Sequence, residues 1–360
     1  EALAGEDGRH FGPPFYNESS VTFMACNRGK ESIALDLRKP EGKEILDRLM
    51  RQAQVLVHNF RPDFTERYGL RYEDVQRINP EIIYYFVSAF GEDGPARLKP
   101  AVDSVIQGLA GGFFASGEES DPPIRIGLPI VDVASGMCGA VGVLAAIMHW
   151  RQTGHGQRVE LSLIDTMFNF MASKVGEFFI EGRAPVREVN LPIAVPSRHF
   201  QGSDGDYFSV SIVNESAFRR FCQIIDRPQW IEDWRFAKNS ARIENRHELL
   251  LLLEEIFATQ PAADWVKRFE AVDIPCGPVN TVPQAMADPV LATRFQAHPK
   301  MPGLPLIPFP AQLAQGMCSV ERMPPPPRIG EHTAALLAEC GYTLEEIATL
   351  ATLGVVGLAA

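Results

Sequence analysis

Gly156-Gln157-Arg158-Val159-Glu160-Leu161-Ser162-Leu163-Ile164-Asp165-Thr166-Met167-Phe168 changes its period in the middle. Val159, Leu161 and Leu163 alternate, as in a strand with one buried face. From Ile164 the apolar residues Met167, Phe168, Met171, Val175 and Phe178 follow helical spacing instead. The stretch predicts a short strand that runs directly into a helix, with Asp165 where the period changes. A carboxylate there faces the free N–H groups of a first helical turn and the positive end of the helix dipole, an arrangement that favours an anion. Two roles stay open. Asp is a common N-cap, the more frequent job at such a place. The same carboxylate could attack an activated carbonyl, with the neighbouring N–H groups taking up oxyanion charge.

The residues upstream place this turn in a sheet. Residues 32–37 read as a short strand, and Pro40 opens a helix with Ile45, Leu46, Leu49 and Met50 on one face. Residues 54–60 form an apolar strand that ends in a polar loop, Arg61-Pro62-Asp63. A short helix at 74–78 precedes 82–87, a continuous apolar strand of the kind buried on both faces. The order strand–helix–strand–helix–strand predicts an α/β fold with a doubly wound parallel sheet. A polar loop at 91–99, a helix at 103–115 and a loop at 121–129 follow. The long helix 132–151 carries Ala134, Gly136, Gly139, Ala140 and Gly142, and ends at Gly154. Glycines weaken a helix, so close packing must compensate.

Beyond a loop-like boundary at 182–196 the pattern becomes a smaller α+β unit. Residues 207–212 and 277–282 read as strands, and 215–225, 246–257, 262–272 and 283–294 as helices. Proline-rich stretches at 302–310 and 324–327 are semi-rigid connectors, and two short helices, 333–339 and 344–350, close the chain. Residues 1–20 read as loop. The expected division is a large domain over 1–195, completed by 305–360, and a small domain over 196–304. Two domains suit 360 residues.

A net charge of -11, with no basic run, argues against general nucleic-acid binding. Six scattered cysteines without a C-x-x-C pair give no support for zinc or thioredoxin-like chemistry, and point to a reducing, cytoplasmic setting. The longest apolar-rich run, 141–150, reads as too short to span a bilayer, so no membrane association is expected, and no signal peptide is visible. The chain opens at Glu1 without a methionine, from which a missing stretch of natural N-terminus is expected. Dinucleotide, NTP, serine-hydrolase and zinc-protease motifs are absent. Among eight histidines only His58 stands out, at a strand end. Basic residues recur near the early strand ends: Arg28, Lys30, Arg38, Arg61 and Arg67. In a doubly wound sheet the ligand crevice lies there, where arginines suit a phosphorylated ligand. Any one of them taken alone reads as a solvated charge.

Asn27-Arg28-Gly29-Lys30, residues 32–37 with Pro40-Glu41-Gly42, His58-Asn59-Phe60-Arg61-Pro62, residues 153–165 and Pro327-Arg328-Ile329-Gly330-Glu331-His332-Thr333 together resemble the class III CoA-transferases, the formyl-CoA transferase and carnitine CoA-transferase type, also called CaiB/BaiF-like. The resemblance runs in order over nearly the whole chain. It implies a Rossmann-like large domain built from both chain ends, and an interlocked homodimer. It implies that Asp165 is a covalent nucleophile, and that Leu35, Arg38, Asn59, Phe60, Arg67 and Lys99 contact coenzyme A, a thioester substrate rather than a resident cofactor. No metal is needed. The substrates implied are an acyl-CoA and a carboxylic acid, a dicarboxylate among the options. The family's first strand and its earliest CoA contacts have no counterpart in this sequence. The related α-methylacyl-CoA racemases share the fold but need a His before the Asp that corresponds to Asp103; here that residue is Val102, which cannot move a proton. A non-catalytic CoA-binding subunit is the third alternative.

Overall fold

The computed structural model describes residues 1–117, 121–185, 194–311 and 323–359. The chain divides into two compact units. Glu1–Phe113, Arg125–Arg183 and Arg294–Ala360 form the first; Phe114–Ile124 and Ala184–Thr293 form the second. The boundaries expected at 195 and 304 do not coincide with this division.

The first unit runs through β1 (Ala34–Leu35), α1 (Pro40–Gln52), β2 (Val55–His58), α2 (Pro62–Tyr68), α3 (Tyr72–Ile78), β3 (Ile83–Ser88), α4 (Asp103–Leu109), α5 (Ile130–Thr153), β4 (Arg158–Ser162), α6 (Leu163–Phe170) and α7 (Ala172–Glu181). A parallel sheet has the order β2-β3-β4. His58 pairs with Phe86 and Ser88 with Ser162, so all three strands end along one edge. Tyr84 and Phe86 of β3 pack with Met50 of α1 and Val75 of α3. The opposite face meets α5, where a Cβ on Gly139 would come 2.0 Å from the Tyr85 hydroxyl. Glycine is what lets this helix lie against the sheet.

Several expectations need correction. β1 does not join the parallel sheet. It pairs antiparallel with Val356–Gly357, and the Asp36 N–H donates to the Val355 carbonyl at 2.9 Å. Leu35, Ile45, Leu337, Ile347 and Val356 bury one cluster together, which holds the C-terminal strand on β1. The polar loop at Arg61-Pro62-Asp63 is the start of α2: Pro62 occupies the first helical turn, where its fixed φ fits and no N–H is needed, and Gly69 at φ 62 ends the helix. Residues 1–20 contain a hairpin, Phe15–Tyr16 against Ser19–Ser20, that leads into the helix Val21–Cys26. The helix after β4 breaks at Met171 into α6 and α7. α5 extends on both sides of the 141–150 run. At 24 residues it is long and apolar enough to cross a bilayer, a length the sequence window missed.

The second unit has a three-stranded antiparallel sheet in the order Ser197–Gln201, Tyr207–Ser211, Cys276–Pro278. Phe200, Phe208, Phe221, Phe257, Trp265 and Phe269 fill its core against the helices Glu215–Ile224, Arg246–Phe257 and Ala262–Glu270. The helix expected at 283–294 is two, Val282–Ala287 and Pro289–Ala292, because Asp288 caps the second one.

Candidate active site

β4 ends at Ser162 and α6 begins at Leu163, so Ser162, not Asp165, is the N-cap. The Asp165 N–H donates to Ser162 Oγ at 3.1 Å. Asp165 stands at the third helical position, the spacing of a capping box. Its carboxylate does not reach back to the backbone. Oδ2 accepts the Ser162 hydroxyl, while Oδ1 has no hydrogen-bond partner among the described residues, and the side chain is exposed. Ser162 itself is buried, and its carbonyl accepts the Thr166 hydroxyl at 3.0 Å. Thr166 Oγ1 in turn accepts from Ser135 of α5 at 3.0 Å. The Ile164 N–H donates to the Ala89 carbonyl at 3.1 Å and ties the turn to the end of β3. Two of the N–H groups expected to serve as oxyanion donors are therefore occupied.

The positions implied to contact CoA fall around α2 and the neighbouring strand ends, with one exception. Leu35 is buried in the β1 cluster, and its N–H donates to the Glu1 carbonyl at 2.9 Å; its side chain is packing, not a contact surface. Arg38 lies beyond β1 and is largely exposed. It grips Asp36 through Nε at 2.8 Å and Nη2 at 2.9 Å, a fork that holds the Asp36 carboxyl at about 2. That bond, and more weakly the Tyr68 phenol of α2, raises the Arg38 guanidinium's pKa. Asn59 and Phe60 follow β2. Both are exposed, and Asn59 has no side-chain partner among the described residues. Phe60 stacks on His58 with centroids 5.5 Å apart and leans on Phe64 of α2 at 4.5 Å. Arg67 is exposed on α2. Its neighbour Glu66 pairs with Arg97 at 3.5 Å, which brings the loop after β3 to α2. That loop carries Lys99, whose ammonium lies 5.8 Å from the Phe90 ring centroid. β2 and β4 flank β3, so Asn59 and Asp165 follow strand ends two spacings apart, ~10 Å. Arg28 and Lys30 are elsewhere: Arg28 donates to the Ile307 carbonyl at 2.9 Å and Lys30 to Asn27 at 2.8 Å.

Val102 caps α4 with its side chain exposed, and Asp103 is buried. The Asp103 carboxylate accepts from the Val131 N–H at 2.8 Å and from Gln107 at 2.7 Å, which joins α4 to the first turn of α5. It is a structural carboxylate. No group of three or more His, Cys, Asp or Glu side chains is placed to hold a metal ion among the described residues.

An exposed carboxylate after a parallel strand, with arginines and an aromatic ring around the neighbouring strand ends, suits a phosphorylated thioester. Comparison with known proteins agrees: residues 1–333 match the model of CoA-transferase family III. The chain belongs to that family. It is 32% identical to a succinate–glutarate CoA-transferase of Agrobacterium fabrum over 96% of this chain and 88% of the relative. It is 32% identical to an acetyl-CoA:oxalate CoA-transferase of Acetobacter aceti over 93% and 86%. A CaiB/BaiF family protein from Brucella suis, solved by crystallography, superposes with a TM-score of 0.83 at 33% identity, over 94% of this chain and 90% of that one. As a family III CoA-transferase the protein is an enzyme that moves CoA from an acyl-CoA thioester to a carboxylic acid. The sequence reading missed Ser162 as a partner of Asp165, although the Ser-x-x-Asp spacing is itself a capping signal.

Proposed function

We propose that the enzyme transfers CoA to a dicarboxylic acid through an aspartyl-CoA thioester on Asp165. The observation that carries this is the exposed Asp165 carboxylate just after β4, with one oxygen bonded to Ser162 and the other without a hydrogen-bond partner among the described residues. Oδ1 attacks the donor thioester carbonyl, the C–S bond breaks, and a mixed anhydride and the CoA thiolate result. The thiolate attacks Asp165 Cγ and expels the donor carboxylate, leaving the aspartyl-CoA thioester. The acceptor carboxylate attacks Cγ and expels the thiolate. The thiolate then attacks the acceptor's acyl carbonyl in the new anhydride and frees Asp165. One thioester is consumed and one formed, and no proton moves. Covalent catalysis divides one difficult exchange into easier steps.

Arg38, Arg67 and Lys99 hold the charged end of CoA in this reading, with Asn59 and Phe60 beside its nucleotide. Binding there is available to align the reacting thioester. The named relatives act on succinate, glutarate or oxalate, which supports a dicarboxylate acceptor here. The large domain is Rossmann-like in this reading, since helices cover both faces of a parallel sheet. The working unit is an interlocked homodimer, supported by the exposed apolar stripe of α5 (Val133, Met137, Val141, Leu144 and Met148). Val102 offers no proton for a racemase.

The test is incubation with succinyl-CoA, trapping with hydroxylamine and mass spectrometry of the peptides. Asp165 is expected as the hydroxamate. An unmodified Asp165 during demonstrated turnover overturns the covalent route. Glutarate, oxalate and acetate offered as acceptors test the dicarboxylate preference; acetate used as well as the others removes it.

A further inference from the structure

We infer that Ser162 is a catalytic residue: its hydroxyl donates to the oxygen that becomes the oxyanion whenever the aspartyl carbonyl is attacked. The inference rests on Asp165 as the covalent nucleophile. Two of the steps above occur at Asp165 Cγ rather than at a substrate carbonyl. In both, Oδ1 or the CoA sulfur is the group being exchanged, and Oδ2 is the carbonyl oxygen that gathers negative charge. A donor at Oδ2 lowers those barriers specifically. Ser162 Oγ is bonded to that atom already.

The surroundings make this hydroxyl a prepared donor. Ser162 Oγ accepts the Asp165 N–H at 3.1 Å, which polarises its O–H and turns the proton towards Oδ2. The residue is buried and its backbone is pinned. Its backbone pairs with Ser88 across the sheet, its carbonyl takes the Thr166 hydroxyl, and Thr166 is held by Ser135. The N–H groups of Ile164 and Asp165 cannot substitute, since they are bonded to Ala89 and Ser162. The hydrogen bond also distinguishes the carboxylate oxygens. Oδ2 is bonded and less nucleophilic, which leaves Oδ1 for the attack.

A plain N-cap would give a different result, and two substitutions separate the cases. Gly is nearly as good an N-cap as Ser, whereas Ala is poor; neither has a hydroxyl. Rapid mixing with succinyl-CoA, then with succinate as acceptor, followed by intact-mass analysis, reads the formation and discharge of aspartyl-CoA. Discharge is expected to slow on the order of 10²–10³-fold in both Ser162→Gly and Ser162→Ala, the usual loss for one oxyanion donor. Formation slows as well, because the thiolate's attack on Cγ uses the same donor; KM for succinyl-CoA stays within about threefold, and Ser162→Thr restores turnover. If folded Ser162→Gly discharges as fast as the native enzyme, or if only Ser162→Ala is slow, Ser162 is merely a cap and the proposal is wrong. Absence of any adduct in the native enzyme would instead overturn the role of Asp165 itself.

Discussion

His58 Nε2 lies 2.6 Å from the Tyr84 hydroxyl inside the core of the parallel sheet, and Tyr84 donates its one proton to the Leu70 carbonyl at 2.8 Å. His58 must therefore be the donor at Nε2, which leaves the Nδ1 lone pair to accept the Phe60 N–H at 3.2 Å. Only the neutral ring satisfies all three contacts. Burial reinforces this and holds the His58 pKa at about 4, below its ordinary 6.5. Above pH 6.5 the ring is neutral in the folded and unfolded chain alike. As pH falls, the unfolded chain takes up the proton first, so stability is lost between about 6.5 and about 4, and below that both states are charged. The gap is worth ~3 kcal/mol. Urea denaturation between pH 7 and 4 is expected to show this extra loss in the native chain and not in His58→Gln. Parallel losses in both chains would assign the acid sensitivity to another group.

Arg38 and Arg67 are expected to act on binding and not on the chemical step. Each is an exposed guanidinium near α2, and Arg38 already holds a carboxylate as a fork. Charge-assisted hydrogen bonds contribute about 1.5–3 kcal/mol, so Arg38→Ala or Arg67→Ala should raise KM for the acyl-CoA ~10–100-fold with kcat nearly unchanged. Arg38→Lys should recover little, because an ammonium cannot reproduce the fork. Added salt should narrow the difference between native and variant enzymes. A fall in kcat at constant KM would remove both residues from the CoA-binding set.

How much of this was legible beforehand depended on the range of the interaction. β2, β3 and α1 were readable because continuous apolar runs and a one-sided helix are local signals. The strand-to-helix turn at Asp165 was readable to within a residue for the same reason. β1 was misassigned to the parallel sheet because its partner, Val356–Gly357, lies at the other end of the chain. Ser197–Gln201 was missed because Phe200 is its sole apolar residue. Pro62 reads as a loop signal in the sequence, although proline is equally a helix opener. Leu35 matched the family's motif, yet burial leaves its side chain in the core. The pairing of Ser162 with Asp165 needed coordinates, since the spacing alone does not say which oxygen a hydroxyl meets.

Gly156 tests the close approach of two backbones at the start of β4. It precedes β4, where a Cβ would lie 2.2 Å from the Ile82 carbonyl oxygen and 2.4 Å from the Glu81 carbonyl carbon. Both are backbone atoms and cannot swing aside. The adjacent Tyr84 N–H donates to the Gln157 carbonyl at 2.9 Å, so relief of the clash strains the β3–β4 pairing. Gly156→Ala should cost about 1–3 kcal/mol, as overpacking does. Chemical denaturation measures this, and a variant as stable as the native chain would contradict the approach.

α5 presents two unlike faces. Val131, Ser135, Gly139 and Ala146 face the fold, and Val133, Met137, Val141, Leu144 and Met148 form an exposed stripe on the other side. Large contiguous apolar patches on a surface mark sites of interaction with a protein or a membrane. A second copy of the chain and a bilayer are the two physical covers, and they make opposite predictions. Under the homodimer reading, the native enzyme sediments at twice the chain mass and stays out of lipid vesicles in a flotation assay. Met137→Glu combined with Val141→Glu should then shift it to the monomer mass, because two charges in a dry interface lack partners. Co-flotation of the native protein with vesicles, or an unchanged dimer in the double variant, would show that this stripe is not the subunit interface.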